Sequence, residues 1–243
     1  MRTLITAGVL VLGGMMTMVP ADLPVYTCFK IDREIVLDGR LTDVLWKKAP
    51  AATLVMADSG APADVRTEVR LLYSATKLYI GFFCEDDYVW GTKTESDADI
   101  YNEECVEVFL NPASSPHQYY EINVSPRNVV FDACILNPRT PDVPSLKFIG
   151  LKDFHPAGLE TRVSIAGELG KRGGATAWSA EYAIPLPALI GAPHTPPRPG
   201  DAWRMNLYRI DAPEPRRQKF YAWNPTEKID FHRPWRFGVL KFE

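Results

Sequence analysis

Alternation of apolar and polar side chains is the dominant pattern along this chain. In the segment HQYYEINVSP, the side chains of Tyr120, Ile122 and Val124 alternate with those of Glu121 and Asn123. Successive side chains of a β-strand point to opposite faces of a sheet, so the first set is expected in a core and the second on the other face. Because helical periodicity is nearly absent, the pattern predicts strands rather than helices.

Eleven runs rich in β-branched and aromatic residues are expected to form strands. They cover 35–37, 65–73, 77–86, 104–110, 118–124, 128–135, 159–165, 176–184, 201–210, 217–223 and 236–242. One short helix is predicted at 42–48, after a turn at Asp38-Gly39. With 21 Pro and 16 Gly separating these runs, the sequence predicts an all-β fold. We expect a β-sandwich of two antiparallel sheets, with about eleven strands and at most one or two short helices.

Several predicted strands carry a second face made of carboxylates, amides, guanidinium and hydroxyl groups. Glu107 lies in ECVEVFLNP, Arg204 and Asn206 lie in DAWRMNLYRID, and Glu181 lies in AWSAEYAIP. Sugar hydroxyls both donate and accept hydrogen bonds, so a face that offers fixed partners of both kinds suits a polyol ligand. A buried ion network, in which Arg204 neutralises the carboxylates beneath covering loops, explains the same pattern equally well.

The composition is that of a globular protein, with 243 residues of which 46% are hydrophobic and 23% are charged. No linker divides the chain, and a single domain over 22–243 is expected. The formal net charge of -3 and the isoelectric point near 5.9 provide no positive field for phosphates. Nucleic acid is therefore not an expected partner.

The N-terminus has the organisation of a secretory signal peptide. Arg2 precedes an apolar run, and small residues surround Ala21. The apolar run is shorter than the ~20 residues that a membrane-spanning helix requires. We expect a signal peptide over 1–21, no membrane insertion after its cleavage, and a secreted, periplasmic or cell-surface location.

Four cysteines, Cys28, Cys84, Cys105 and Cys134, are an even number in a chain expected to be exported. Two disulfides would fit that compartment. Each cysteine also lies inside an apolar run, which is typical of a buried free thiol. The sequence leaves both alternatives open.

Seven segments together resemble the family 9 carbohydrate-binding modules and their standalone relatives. The segments are IVLDGRLTDVLWKKAP, TEVRLLYSATKLYIGFFCED, EECVEVFLNP, HQYYEINVSP, WSAEYAIPLPAL, GDAWRMNLYRID and YAWNPTEKIDFHRPWRFGVLKF. The resemblance extends from about Ile35 to Phe242. It implies a jelly-roll-like β-sandwich that binds an oligosaccharide or polysaccharide without catalysis, with calcium supporting loops in some members.

The resemblance also implies a binding site. Two aromatic side chains would grip a sugar ring, one of them Tyr101 before EECVEVFL and the other Trp223 in YAWNP. Polar side chains between them would meet the sugar hydroxyls. The expected ligand-binding residues are Tyr101, Glu103, Glu104, Glu121, Asn123, Arg204, Asn206 and Trp223.

Two other functions remain open at this stage. A glycoside hydrolase would use two carboxyl groups roughly 5 to 9.5 Å apart, and the candidates are Glu107, Glu121, Asp132 and Glu181. A haem-binding sandwich would need a methionine ligand, for which Met56 and Met205 are available.

Two loop features have alternative explanations. The acidic residues Glu85-Asp86-Asp87, Asp97 and Asp99 could bind calcium, although solvated turn charge explains them as well. His232 in DFHRP is expected to be a hydrogen-bonded anchor of its loop rather than a catalytic base.

Overall fold

The computed structural model describes residues 23–214 and 216–243, and the predicted signal peptide lies outside these residues. They form fourteen strands, β1 to β14 in chain order: Val25–Lys30, Ala52–Thr53, Val55–Met56, Thr67–Tyr73, Lys77–Glu85, Cys105–Asn111, Gln118–Val124, Val130–Leu136, Ile149–Leu151, Glu160–Gly167, Ala175–Pro185, Ala202–Glu214, Arg217–Ala222 and Gly238–Phe242. The helical segments in the described residues are four short 3-10 turns: Val44–Lys48, Ile100–Asn102, Leu186–Ala188 and Pro234–Arg236. The predicted all-β class is confirmed.

Two of the predicted elements differ from the structure. The segment 35–37 is not a strand, whereas β1 was not predicted. The helix expected at 42–48 is a 3-10 turn over Val44–Lys48, and the Asp43 side chain caps it by accepting a hydrogen bond from the Leu45 backbone N–H at 2.9 Å. An Asp at this position satisfies a backbone donor that a short helix leaves without a partner.

The strands form one curled sheet with two halves. One half has the order β10-β11-β5-β4, with β2 on β4, and the other has the order β14-β12-β6-β7-β8-β9, with β13 on β12 and β3 on β13. Strand β1 joins the halves by pairing in parallel with both β14 and β4, while the other pairs are antiparallel. The sheet is therefore mixed, which corrects the expectation of purely antiparallel pairing.

The two halves share one apolar core. It contains Phe82 and Tyr182 from the first half and Val108, Ile122 and Leu207 from the second. These residues belong to the apolar sets that the alternating pattern assigns to a core. The Tyr182 hydroxyl also links the halves, because it donates a hydrogen bond to the Val106 carbonyl at 3.0 Å.

Each half of the sheet also buries its outer face. Residues 31–49 cover the first half, where Trp46 and Leu45 pack on Tyr79 and Leu72. On the second half, Tyr119, Phe109, Tyr208 and Phe237 form a separate aromatic cluster. The second cluster is incomplete towards solvent, and a cavity lies there.

The four cysteines are free thiols, three of them buried and Cys134 partly so. Of the two alternatives, the structure has the free thiols. Among the described residues, no helix is long and apolar enough to cross a membrane.

Candidate functional site

A cavity of about 450 Å³ opens on the outer face of the second half of the sheet. Its wall is mainly aromatic, its deep surface carries two carboxyl groups, and a Lys and an Asp stand near its opening. The lining residues are Tyr101, Glu107, Glu121, Phe131, Ile135, Phe148, Gly150, Lys152, Ile210, Phe220, Ile229, Asp230, Phe231 and His232.

Strand register brings the two carboxyl groups together. Glu107 on β6 pairs with Asn123 on β7, and Phe109 pairs with Glu121. Glu107 and Glu121 are thus diagonal neighbours on one face of adjacent strands, an arrangement within reach of long side chains. Phe131 and Ile135 of β8 share this face and extend it into the cavity wall.

Aromatic rings build the wall by packing on one another. The Tyr101 and Phe131 rings meet edge to face, with 5.3 Å between their centroids. Phe148 and His232 stack with 3.8 Å between centroids. Aromatic pairs of this kind add about 0.5–1.5 kcal/mol beyond burial alone, so the wall is preorganised.

The two deep carboxyl groups are almost removed from water, with Glu107 2% and Glu121 5% exposed. Burial, together with the neighbouring Glu121 carboxylate, raises the pKa of Glu107 well above its ordinary value. Burial raises the pKa of Glu121 to about 7. The hydrogen bond from the Asn123 amide at 2.9 Å and the charge of Lys152 act in the opposite direction and lower this pKa. At neutral pH Glu107 therefore stays protonated, and the remaining negative charge of the pair is on Glu121.

His232 is a neutral part of the wall. Burial, with the charge of Arg139, lowers its pKa to about 3. Asn137 donates to the Tyr119 hydroxyl, and that hydroxyl lies 2.8 Å from Nδ1 of His232. The hydroxyl proton has no other acceptor among the described residues, so Tyr119 donates to Nδ1 and the ring proton is on Nε2, 3.9 Å from Glu121 Oε2. The predicted hydrogen-bonded anchor is confirmed, and His232 also lines the cavity.

Two ion pairs stand at the opening. Lys152 Nζ lies 3.2 Å from Asp99 Oδ1, and the Tyr101 hydroxyl donates to the same Asp99 oxygen at 2.6 Å. On another side of the opening, Arg139 Nη1 lies 3.1 Å from Asp230 Oδ2. These contacts fix the positions of Tyr101 and of the loop that carries Asp230.

The structure places two of the eight predicted site residues in the lining of the cavity and a third behind it. Tyr101 and Glu121 line it, and Asn123 lies directly behind Glu121. Their common position follows from the alternation in HQYYEINVSP and from the loop that precedes β6.

The other four polar residues have structural contacts elsewhere. Glu103 accepts hydrogen bonds from the backbone N–H and hydroxyl groups of the Thr92 segment. Glu104 accepts from the Trp90 N–H at 3.2 Å. Arg204 donates to the carbonyls of Phe237 and Gly238, and Asn206 donates to the Asn224 carbonyl at 2.9 Å.

Trp223 lies on the opposite face of the sheet from the cavity. Its ring packs against the core, meets Tyr26 edge to face at 6.4 Å, and lies on Gly238. Along the same stretch Phe220 and Ala222 face the cavity side, so alternation directs Trp223 with Tyr221 to the core. The structure does not bring Tyr101 and Trp223 together.

Sequence reasoning did not assign the rest of the cavity. Glu107 was predicted on the polar strand face and as a hydrolase candidate but not among the ligand-binding residues, and the walls formed by Phe131, Phe148, Phe220 and Phe231 were not assigned. For Phe131 and Phe220 the alternation along their strands was a usable signal, because it fixes the face on which each ring lies. Phe131 pairs with Asn123 and Phe220 pairs with Ile210, so this face is the cavity face. Phe148 and Phe231 lie outside strands, where no sequence periodicity predicts the direction of a side chain.

The residues considered for the hydrolase and haem-binding alternatives lie in different parts of the structure. Glu181 lies on the first half of the sheet, where it accepts hydrogen bonds from Trp46 and the backbone of Gly39, so it cannot pair with Glu107 or Glu121. Asp132 pairs with His155 at 3.0 Å outside the cavity lining. Met205 is fully buried in the central core, where it contributes apolar packing.

Among the described residues, two groups of side chains offer oxygen or nitrogen ligands for a metal. Asp97, Asp132 and His155 form one, and the buried carboxyls of Asp86, Glu104 and Asp211 form the other. Of the predicted acidic loop residues, Asp97 belongs to the first group and Asp86 to the second.

The second group has the donor chemistry that calcium prefers. Glu104 Oε1 is buried and has no hydrogen-bond partner in the part of the chain that the structure describes. Arg209 Nη2 lies 2.9 Å from oxygens of both Asp86 and Asp211, so this guanidinium already neutralises two of the three carboxylates. A calcium ion would have to displace Arg209 from Asp86 and Asp211 and a proton from Glu104, whose pKa burial raises to about 10, so these three residues do not fit calcium.

A family model described as "Carbohydrate family 9 binding domain-like" matches residues 37–243. The chain belongs to this family. The match includes every residue of the cavity and both halves of the sheet, and the resemblance inferred from the sequence motifs is confirmed.

Similar proteins include one relative in sequence and two solved structures with a similar fold. A protein from Arthroderma benhamiae described as an extracellular protein is 29% identical over 184 residues, which cover 73% of this chain and 78% of that protein. A candidate carbohydrate-binding protein from Bacteroides uniformis has a similar fold, with a TM-score of 0.73 at 17% identity over 91% of this chain and all of that chain. A family 9 carbohydrate-binding module from Caldicellulosiruptor kristjanssonii, solved with cellotriose, gives a TM-score of 0.62 at 13% identity over 90% of this chain and 94% of the module. At these identities the two structures establish the fold alone.

Proposed function

We propose that this chain is an exported, non-catalytic protein that binds an oligosaccharide or polysaccharide in the aromatic-walled cavity. The observation that carries the proposal is the combination of stacked rings with two buried carboxyl groups in one open cavity. Binding needs a shaped apolar wall and a few fixed polar partners, and this cavity supplies both. The family assignment and the cellotriose bound by the similar module support a carbohydrate as the ligand.

The sugar ring would lie against the aromatic wall. Phe148 and Tyr101 offer apolar surface to the C–H groups of a pyranose. A Glu121 carboxylate accepts hydrogen bonds from hydroxyls, while the protonated Glu107 carboxyl can donate one. The cavity volume falls in the range of about 300–1,000 Å³ that is usual for small-ligand sites.

Export is supported by the extracellular relative and by the N-terminal sequence pattern. A carbohydrate-binding protein meets polysaccharide outside the cell, so location and ligand are consistent. Identification of the mature N-terminus after secretion by the native host would test this part of the proposal, and retention of residues 1–21 would contradict it.

The binding test is a glycan array followed by calorimetric titration with the glycans that bind. Phe148→Ala is expected to weaken binding about 10-fold, on the order of 1.4 kcal/mol, because it removes one stacking surface. Trp223→Phe is the matched control, because the Trp223 ring lies on the other face of the sheet. The affinity of this variant for the glycan should stay unchanged. Equal affinity of all three proteins would show that the sugar does not use the cavity.

A glycoside hydrolase is the second candidate, favoured by one observation. Glu107 and Glu121 are neighbouring carboxyls whose pKa values are raised to different extents, an arrangement that acid–base pairs use. Incubation with aryl glycosides and oligosaccharides distinguishes the two functions. Turnover that Glu121→Gln abolishes would favour the hydrolase, and binding without turnover would favour the non-catalytic protein.

A further inference from the structure

The cations around the cavity are already neutralised by carboxylates at its opening. Lys152 pairs with Asp99, and Arg139 pairs with Asp230. Both pairs are partly solvated, and neither places its cation in the deep part of the cavity. The charges of the opening therefore balance without the two buried carboxyls.

The buried carboxyls lack a cation of their own. Within the described part of the chain, Glu107 has no basic side chain within 4.0 Å, and the basic side chain within 4.0 Å of Glu121 is the neutral His232. The charge of Lys152 acts on Glu121 from farther away. Arg204, which would neutralise them in the alternative ion network, donates instead to backbone carbonyls. Glu107 is protonated, so the negative charge of the deep site is that of Glu121. Burying an ionised carboxylate without a counter-charge is costly, so the site has a use for an incoming positive group.

Glu107 directs its carboxyl into the cavity. One oxygen accepts a hydrogen bond from the Cys105 thiol, with 3.4 Å between the sulfur and Oε1. Its other oxygen has no hydrogen-bond partner among residues 23–214 and 216–243. This side chain is 98% buried, so the vacant oxygen can be satisfied only by what enters the cavity.

Two rings of the aromatic wall lie near cationic side chains of the protein. Lys152 Nζ lies 4.9 Å from the centroid of the Phe131 ring, and the Arg139 guanidinium carbon lies 4.9 Å from that of Phe148. Two rings of the wall thus already face positive groups on the protein. Aromatic faces combined with carboxylates are the usual surroundings of a bound ammonium group.

We propose that the ligand carries a primary ammonium group, and that this group binds between Glu107 and Glu121 inside the aromatic wall. This inference rests on the proposed carbohydrate-binding function and names its substrate class, which is glycans that contain unacetylated hexosamine. The ammonium donates to both carboxyls, and the pyranose that carries it stacks on the rings. An acetylated amine has neither the charge nor the three donors, so the site distinguishes it.

The ionisable groups around Glu121 give this binding a pH dependence. Glu107, His232 and Lys152 face it, and His232 stays neutral above its pKa of about 3. Glu121, with a pKa near 7, loses its charge in acid, and a sugar amine resembling an α-amino group loses its charge above about pH 8. Binding of the amine is expected to be strongest near neutral pH and to weaken on both sides.

Three β-1,4-linked trisaccharides provide the test because they differ only at carbon 2: cellotriose with a hydroxyl, the glucosamine trimer with an amine, and the N-acetylglucosamine trimer with an amide. In calorimetric titrations at pH 7, the glucosamine trimer should bind about 10-fold more tightly than cellotriose. At pH 9 the two affinities should converge.

Glu121→Gln should remove the preference for the amine while cellotriose still binds, because the shape is kept and the charge is lost. Glu160→Gln, which changes an exposed carboxylate on the other half of the sheet, is the control and should keep the preference. Should Glu121→Gln fail to fold, the loss of preference between pH 7 and pH 9 in the unchanged protein decides the question.

The outcomes separate this inference from the function on which it rests. Equal affinities for the three trisaccharides, or tightest binding of the N-acetylated trimer, would overturn the ammonium site and leave carbohydrate binding in place. A preference for the amine that persists at pH 9 would also overturn it. Absence of binding to all three trisaccharides and to a glycan array would overturn both.

Discussion

At the scale of single residues, Glu107 and Glu181 are a matched pair of buried glutamates with different surroundings. Glu107→Gln is expected to change the free energy of unfolding by less than about 1 kcal/mol at pH 7, because the protonated carboxyl that it replaces is already neutral and of the same shape. Urea denaturation monitored by tryptophan fluorescence measures this change. A loss of several kcal/mol would mean that Glu107 is ionised in the folded protein.

Glu181→Gln is the companion measurement. Glu181 accepts hydrogen bonds from Trp46 Nε1 and from the backbone N–H groups of Asp38 and Gly39. An amide NH₂ cannot accept, so the substitution leaves at least one buried donor without a partner and should cost about 1–3 kcal/mol. If both substitutions cost the same, hydrogen bonding does not distinguish the two positions.

At the scale of elements, Arg209 of β12 connects the two halves of the sheet from inside the core. It is fully buried, donates to the Glu85 carbonyl at 2.8 Å, and pairs with Asp86 and Asp211 at 2.9 Å. Arg209→Met leaves two buried carboxylates without a cation and should destabilise the fold by about 3–5 kcal/mol.

Thermal and urea unfolding measure the effect of Arg209→Met. Arg66→Met serves as the control, because Arg66 is half exposed and pairs with Glu68 at the surface at 2.8 Å, a contact that contributes about 1 kcal/mol at most. Similar losses for both variants would show that the buried pair contributes no more than the surface one.

The contact between β14 and the segment after β13 depends on a missing side chain at Gly238. A Cβ atom there would lie 2.8 Å from Trp223 Cη2 and 2.8 Å from the Pro24 carbonyl oxygen. Gly238→Ala should therefore cost about 1–3 kcal/mol through overpacking. Gly91→Ala, whose added carbon would lie 3.6 Å from Glu103 Oε2, is the control and should be tolerated. The midpoint of thermal unfolding reports both, and an unchanged midpoint for Gly238→Ala would contradict the tight contact.

At the scale of the whole molecule, buried acidic groups determine how stability depends on pH. Burial raises the pKa of Glu104 to about 10, of Glu121 to about 7 and of Asp132 to about 6. Between the ordinary carboxyl pKa and these values, the folded protein binds protons that the unfolded chain has released. Their contribution to stability is complete below about pH 4 and is lost as pH rises through the folded-state pKa values.

The free energy of unfolding is accordingly expected to fall from pH 5 to pH 9. Asp43, whose pKa the Arg33 guanidinium lowers to about 2, contributes its full stabilisation throughout this interval and does not change the slope. Urea titrations at several pH values measure the trend, and Glu104→Gln should flatten the part above pH 7. A stability that rises between pH 5 and pH 9 would contradict the assigned protonation of the buried carboxyls.

Part of the fold and of the site can be predicted from the sequences of single strands. Alternation placed Glu121 and Asn123 on one face of β7 and Val106 and Val108 in the core, because side-chain direction repeats every two residues. The same rule applied to the end of β13 would have directed Trp223 to the core. Resemblance to sugar-binding relatives instead suggested the opposite, and the ring lies against Tyr26.

The parallel position of β1 could not be read from its sequence, since VYTCFK alternates like any strand and its two partners lie far along the chain. The loops presented the same difficulty. Nothing local in the sequence indicates that Phe148 stacks on His232, because no repeating backbone geometry fixes the direction of a loop side chain.

The sequence by itself determined the all-β class, the family and the division of each strand into a core face and a polar face, since these depend on local periodicity and on motif order. Tertiary structure alone decided that Glu107 and Glu121 share a cavity, that Glu181 lies on the other half of the sheet, and that Arg204 pairs with carbonyls. The reason is physical: which polar faces meet depends on strand order and register, and these are fixed by contacts between residues distant in the chain.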